Sequence, residues 1–228
     1  MSGPATSGDD LGAATAQILL DTGAVLFRPQ EPFVFSSGWA SPVFVDCKRL
    51  IAYPLARRRL IELAIRRILD VLGYDAMDAI AGGEVAGVPF AAMIADRLHL
   101  PFAIVRKQAR GFGPQAQIEG RILPGQRVLL VEDVTTDGRS KAVFCEGLRR
   151  AGAEVKDTFV LFKYGIFDRV VRDLDTMGVR LFALADWTDV LRVARGRRAL
   201  DVATLDAIEA YVADPIGWSM RHGGAGAA

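Results

Sequence analysis

Glu132 and Asp133 are adjacent carboxylates placed between an apolar run, Val128-Leu129-Leu130-Val131, and a polar turn, Thr135-Thr136-Asp137-Gly138-Arg139-Ser140. The turn supplies hydroxyls, a glycine that permits close backbone approach, and free N–H groups at the start of a helix expected from Ser140 to Arg150. Those donors and the helix dipole favour a phosphate dianion. Carboxylates would repel that phosphate, so they face something else. A neutral vicinal diol welcomes two acceptors, and a ribose 5-phosphate carries both groups.

The elements that position these residues follow from the same stretch. Four consecutive apolar residues suit a strand covered on both faces in a parallel sheet, and the acids then fall at its carboxyl end. In open α/β sheets the ligand crevice lies there. Four apolar residues, Glu-Asp, a variable pair and Thr-x-Gly-x-Ser closely resemble the 5-phosphoribosyl 1-diphosphate (PRPP) motif of the type I phosphoribosyltransferases. Two other readings stand beside it. The run resembles a Walker B strand, but no GxxxxGK[ST] loop precedes it, since Gly82 to Gly87 is followed by Val88 and Pro89. The acids could also be surface residues that end a core strand.

Gly82-Gly83-Glu84-Val85-Ala86-Gly87 follows a strand and opens a helix, a context for cradling an anion on backbone N–H groups. Taken alone, it also reads as a glycine turn needed for close packing. Arg106, Lys107 and Arg110 lead a stretch to Gly120 with no periodicity, and a loop of that length in a compact domain is usually functional. Three cations there suit closure over a diphosphate and stabilisation of its charge as it departs. An exposed basic loop without a ligand is the alternative.

The segments SSGWASPVFVDCKRL, GGEVAGVPFA, RKxxxxxG and EDVTTDGRS, in this order, look like orotate phosphoribosyltransferase. The ending ADWTDVL with DPIGWSMRHGG resembles a bacterial branch of that family, so the likeness runs from about residue 11 to 223. It implies PRPP and orotate as substrates, Mg²⁺ as cofactor, and a homodimer whose mobile loop reaches the neighbouring site. The products would be orotidine 5′-monophosphate and diphosphate. It implies catalytic roles for Lys107, Arg110 and Asp133. PRPP would be bound by Arg106, Lys107, Arg110, Glu132, Asp133, Val134, Thr135, Thr136, Asp137, Gly138, Arg139 and Ser140, with Gly82, Gly83 and Glu84 as the diphosphate loop. Ser36 and Thr136 would meet orotate. No side-chain metal cluster is expected, Mg²⁺ being held by diphosphate and hydroxyl oxygens with waters. The chain departs from the family pattern at several positions. Arg110 stands where many members carry lysine, Phe112 where they carry histidine, and Ser36 where they place a lysine near orotate. The Asp-Arg pair expected after the fifth strand is replaced around Tyr164-Gly165-Ile166-Phe167, and Asp137 and Arg139 replace small residues. An Asp137 beside a phosphate has to point away or pair with Arg139 or Lys141. A phosphoribosyltransferase for another nucleobase and a PRPP-sensing regulator on the same fold are the competing classes.

Composition bounds these readings. The chain has 228 residues, 51% of them hydrophobic, and a net charge of +1 from 28 basic and 27 acidic residues. That balance argues against a nucleic-acid or membrane surface, so any anion site is local. No apolar run approaches the roughly 18 residues of a membrane span, and the first ten residues resemble neither a signal nor a transit peptide. Cys47 and Cys145, without CxxC spacing, suit reduced packing residues in a cytoplasmic protein. His99 and His222 are expected on the surface or in the tail.

The fold expected is α/β: one phosphoribosyltransferase-like domain, residues 1–228, with an open, mainly parallel sheet flanked by helices. A strand-rich hood covers about 11–50, a core about 51–200, and a C-terminal helix and hook 201–228. Asp10 would cap a helix from Leu11 to Thr22. Short strands follow at Ala24–Phe27, Phe33–Phe35 and Val43–Asp46, then a helix from Pro54 to Leu72 with Arg57, Arg58, Arg59, Arg66 and Arg67 on its wet side. Core strands are expected at Asp78–Ala81, Phe102–Val105, Val128–Val131, Phe159–Phe162 and Arg180–Leu184, with a helix at Val88–Leu98. Thr204 to Val212 would be helical, 214–219 an ordered hook, and Gly223 to Ala228 frayed.

Overall fold

The computed structural model describes residues 8–35, 37–136, 139–166, 173–198 and 200–226. Ser36, Asp137, Gly138 and Phe167, and the side chain of Arg139, lie outside the described residues.

Helix α1 spans Gly8–Asp21. Asp10 therefore sits inside the helix rather than capping it, and Gly23, at φ +65°, takes the left-handed turn that follows. The hood is two small antiparallel pairs, β1 (Val25–Phe27) with β4 (Val43–Val45) and β2 (Phe33–Val34) with β3 (Ala40–Ser41). Helix α2, Pro54–Leu72, begins with proline at its first turn, where a missing N–H is tolerated.

The main sheet has the order β10-β9-β8-β5-β6-β7, with β5 at Ala79–Gly83, β6 at Phe102–Val105, β7 at Ile118–Glu119, β8 at Arg127–Thr135, β9 at Glu154–Lys163 and β10 at Arg180–Asp186. All neighbours are parallel except the short β7. Helices α3 (Gly87–Leu98) and α4 (Arg139–Arg150) follow β5 and β8. Leu129 and Val131 pack into the core beneath the hood, α1, α2 and α3, whereas Val128 and Leu130 pack with Phe144, Cys145 and Leu148 of α4. Alternate residues thus enter two separate cores, as a sheet covered on both faces requires.

Further expectations are corrected. Strand β8 runs on to Thr135 because its ladder with β9 continues to Thr135–Lys163, so Glu132 and Asp133 lie within it. Helix α5, Trp187–Arg197, is not among the expected elements; it follows β10 directly and carries a capping box between Asp186 and Asp189. Helix α6 (Val202–Ala213) is capped by Asp201, and the hook is a short helix, α7 (Pro215–Arg221), capped by Asp214. Of the residues after it, expected to be frayed, Gly224 and Ala225 are held, and Ala227 and Ala228 lie outside the described residues. Gly224 N–H donates to Ser219 O, and Ala225 N–H donates to Gly38 O. Ser219 Oγ accepts from Ala40 N–H at 3.0 Å and donates to Ala225 O at 2.8 Å, pinning the tail to the hood.

Candidate active site

Strand order reverses direction between β5 and β8, so the loops after these two strands open on a shared crevice. A cavity of about 840 Å³ lies there. Asp133, Thr136, Ser140 and Val143 line it from β8 and α4, Lys107 and Gln108 from the loop after β6, and Phe35, Phe44 and Lys48 from the hood. Tyr164 closes the side next to the hood, and its hydroxyl accepts from Val45 N–H at 3.0 Å. It also meets Trp187 edge-on, with centroids 5.5 Å apart. The hood is thus tied to the core at the cavity wall. Burial holds the Tyr164 hydroxyl well above the ordinary tyrosine range, so it stays a neutral hydrogen-bonding group.

The two acids part company because neighbours on a strand point to opposite faces. Asp133 faces the cavity, half-buried, and its carboxyl is held above the usual range by burial and then by the charge of Glu132. Glu132 is buried on the α4 side. Its Oε2 lies 2.5 Å from Lys141 Nζ and accepts from Ser140 Oγ at 3.2 Å. The partner of Lys141 is therefore Glu132. Thr135 is also buried, whereas Thr136 reaches the cavity.

Gly82 and Gly83 end β5 rather than form a turn, leaving Glu84 to Ala86 as the loop. Their reason is close packing. A Cβ on Gly83 would stand 2.6 Å from Glu132 Oε1, and one on Gly87 2.5 Å from Val131 O. Glu84 Oε2 accepts from Lys107 N–H at 2.9 Å. Arg106 binds Glu119 at 2.7 Å and approaches Glu84 at 3.9 Å, so its guanidinium ties down the loop base. Gln117 donates to Arg106 O and accepts from Arg150, fastening the same base to α4. Arg110 stays on the exposed outer part of the loop, and Phe112 is fully exposed. The structure thus gathers Lys107, Asp133, Thr136 and Ser140 around one cavity, but directs Glu132, Thr135 and Arg106 elsewhere. Ser36, Asp137, Gly138 and the Arg139 side chain lie outside the described residues.

Lys48, Gln108, Phe35, Phe44 and Tyr164 were not singled out for the site from sequence. Lys48 was legible only as part of the hood motif, since nothing local marks a lone lysine as facing a cavity built by distant strands. Cys47 and Cys145 are buried, which raises both thiols, Cys145 to about 12. On α2, Arg58 and Arg59 share Glu62, Arg66 pairs with Asp70, Arg67 donates to Ala183 O and Arg57 to Ile51 O, so the arginines are tethered locally while the helix stays basic.

A family model, the phosphoribosyl transferase domain, matches residues 49–182. The orotate phosphoribosyltransferase of Cereibacter sphaeroides is 47% identical over 210 residues, 92% of this chain and 90% of its own length. The chain belongs to the orotate phosphoribosyltransferase family. The Dinoroseobacter shibae member is 45% identical over 213 residues, covering 93% of this chain and 94% of that one. Among solved structures, orotate phosphoribosyltransferase from Aeropyrum pernix is similar at 33% identity and a TM-score of 0.67, covering 78% of this chain and 97% of that one. Leishmania donovani UMP synthase matches 91% of this chain with 42% of its own, at 27% identity and a TM-score of 0.76. The matched range 49–182 includes Lys107, Asp133, Thr136, Ser140 and Tyr164 of the cavity lining. Among the described residues no helix is long and apolar enough to cross a membrane.

Proposed function

We propose that the chain transfers the 5-phosphoribosyl group of PRPP to orotate, giving orotidine 5′-monophosphate and diphosphate. The observation that carries this reading is one cavity shared by Asp133, the start of α4, Lys107 and an aromatic hood. Thr136 and Ser140, at the end of β8 and the start of α4, hold the 5′-phosphate. Asp133 accepts from a ribose hydroxyl. Lys107 lies across the cavity, where its ammonium offsets the charge of the departing diphosphate. As the bond to diphosphate breaks, positive charge spreads over the ribose ring and a pyrimidine nitrogen attacks the opposite face. Catalysis is positioning plus electrostatics, with loop closure keeping water from the sugar cation.

Orotate, a flat ring with a carboxylate, fits the hood end of the cavity. Phe35, Phe44 and Tyr164 offer apolar wall there, and Lys48 is the cation at that end. With Ser36 at the position where many members carry a lysine, Lys48 supplies the charge for the carboxylate.

The family implies Mg²⁺. Among the described residues no three His, Cys, Asp or Glu side chains gather as a metal site, and Asp133 is the one acid lining the cavity. That donor set fits an ion that arrives on diphosphate and hydroxyl oxygens and keeps its waters, with Asp133 beside it. When bound, the ion neutralises part of the leaving group's charge. We also propose a homodimer in which the outer loop, with Arg110, completes the neighbouring site, and a cytoplasmic location in keeping with two buried free thiols.

The test mixes purified protein with Mg²⁺ and PRPP and follows loss of orotate spectroscopically, with uracil, hypoxanthine and adenine in parallel. Turnover with orotate alone is expected. Turnover with another base instead would keep the phosphoribosyl site and remove the orotate assignment.

A further inference from the structure

Lys141 has no part in the reaction as proposed, yet it is among the most buried charges beside the site. Its side chain is 3% exposed in the first turn of α4, with Nζ 2.5 Å from Glu132 Oε2 and 2.6 Å from Val134 O. Glu132 is closed in on its other side by Gly83, where even a Cβ would collide with Oε1. Either ion alone would be strongly penalised in so dry a place, and together they form a neutral pair. PRPP is a polyanion, and it must settle next to two consecutive acids. Without Lys141 those acids would present two negative charges; with it they present one, that of Asp133.

We infer that Lys141 is a positioning residue that serves as the internal counter-ion of Glu132, cancelling its charge so that PRPP can bind beside Asp133. The inference rests on the phosphoribosyl-transfer reading and goes beyond it by assigning a charge-balancing role away from the cavity wall. A buried charge removed within one helical turn of a bound polyanion changes affinity on the order of tenfold.

The experiment measures PRPP dissociation constants by calorimetry, with thermal melts, for wild type, Lys141→Met, Lys141→Arg, Glu132→Gln and the double variant Lys141→Met/Glu132→Gln. Wild type binding no PRPP would overturn the phosphoribosyl reading itself. Given binding, Lys141→Met should weaken PRPP about tenfold and lower the melting midpoint by roughly 10 °C, the scale for a broken buried ion pair in a chain this size. Lys141→Arg should retain more affinity than Lys141→Met. The double variant, neutral at both positions, should return to within about threefold of wild type. A purely structural role for Lys141 would also give that rescue, since both buried charges are gone, but it predicts that Glu132→Gln binds PRPP no tighter than wild type. Should Lys141→Met not fold, Glu132→Gln decides: it leaves Lys141 unopposed and should bind PRPP about threefold tighter. Binding by Glu132→Gln no tighter than wild type, or a double variant as weak as the single, would overturn the inference.

Discussion

At the scale of single residues, Asp133 shows how a site residue can work against the fold that holds it. Its carboxyl is raised, first by burial and then by Glu132, so the folded state favours the protonated form. A raised carboxyl contributes stability below its unfolded value and loses it as pH rises through the folded value. At neutral pH the ionised group is therefore a net cost. Asp133→Asn should melt roughly 1–3 °C higher than wild type at pH 8, with the gain shrinking as pH falls toward 4. The same variant should bind PRPP about 10- to 100-fold more weakly, the range for losing a hydrogen bond to a charged group. Calorimetry and melts on one preparation check both. Lys48 belongs to this scale as well. Lys48→Ala should raise the KM for orotate about tenfold while the KM for PRPP stays within about twofold, in steady-state kinetics with each substrate varied. Equal effects on both would remove Lys48 from the base end.

At the scale of elements, the site is a meeting of strand ends rather than a continuous motif. Strand β8 delivers Asp133 to one face and Glu132 to the other, α4 offers its N-terminus, and the hood closes over them. What keeps the hood in place is partly the tail. Ser219 Oγ satisfies the N–H of the buried Ala40 and grips Ala225 O, and Ala225 N–H in turn holds Gly38 O beside the cavity-lining Phe35 and Ser37. Ser219→Ala leaves a buried N–H without its partner, a loss of about 1–3 kcal/mol. The melting midpoint should fall roughly 5 °C and the KM for orotate rise a few-fold, with the KM for PRPP unchanged. Parallel change in both constants would place the tail's influence elsewhere. Sequence reading found most core elements within a few residues, since their apolar runs and caps are local signals. It ended β8 too early, because polar residues there looked like a loop although the ladder to β9 continues past them.

At the scale of the whole molecule, net charge is near neutral, and α2 carries its surplus of arginines outside the cavity lining. Lys107 lines the cavity of its own chain, whereas Arg110 and the fully exposed Phe112 extend outward. In a dimer of two-fold symmetry such an outer loop can serve the neighbouring site. Mixing inactive Arg110→Ala with inactive Asp133→Asn, after exchange of subunits, should restore about a quarter of wild-type activity, since half the dimers would hold one intact site. No recovery in a mixture shown to exchange would mean that each chain completes its own site.

The order of motifs along the chain determined the family, the mainly parallel sheet and the crevice after β8, because strand periodicity, helix ends and a polar, glycine-bearing motif are all written in short stretches. It also placed Asp133, Thr136, Ser140 and Lys107 near one another through their positions in those motifs. Only the tertiary structure decided that Glu132 turns away to meet Lys141, that Arg106 braces the loop, and that Lys48 and Tyr164 join the site from distant elements. The physical reason is that strand parity, sheet order and burial select the partner of each charge, and these are properties of the assembled sheet rather than of any segment.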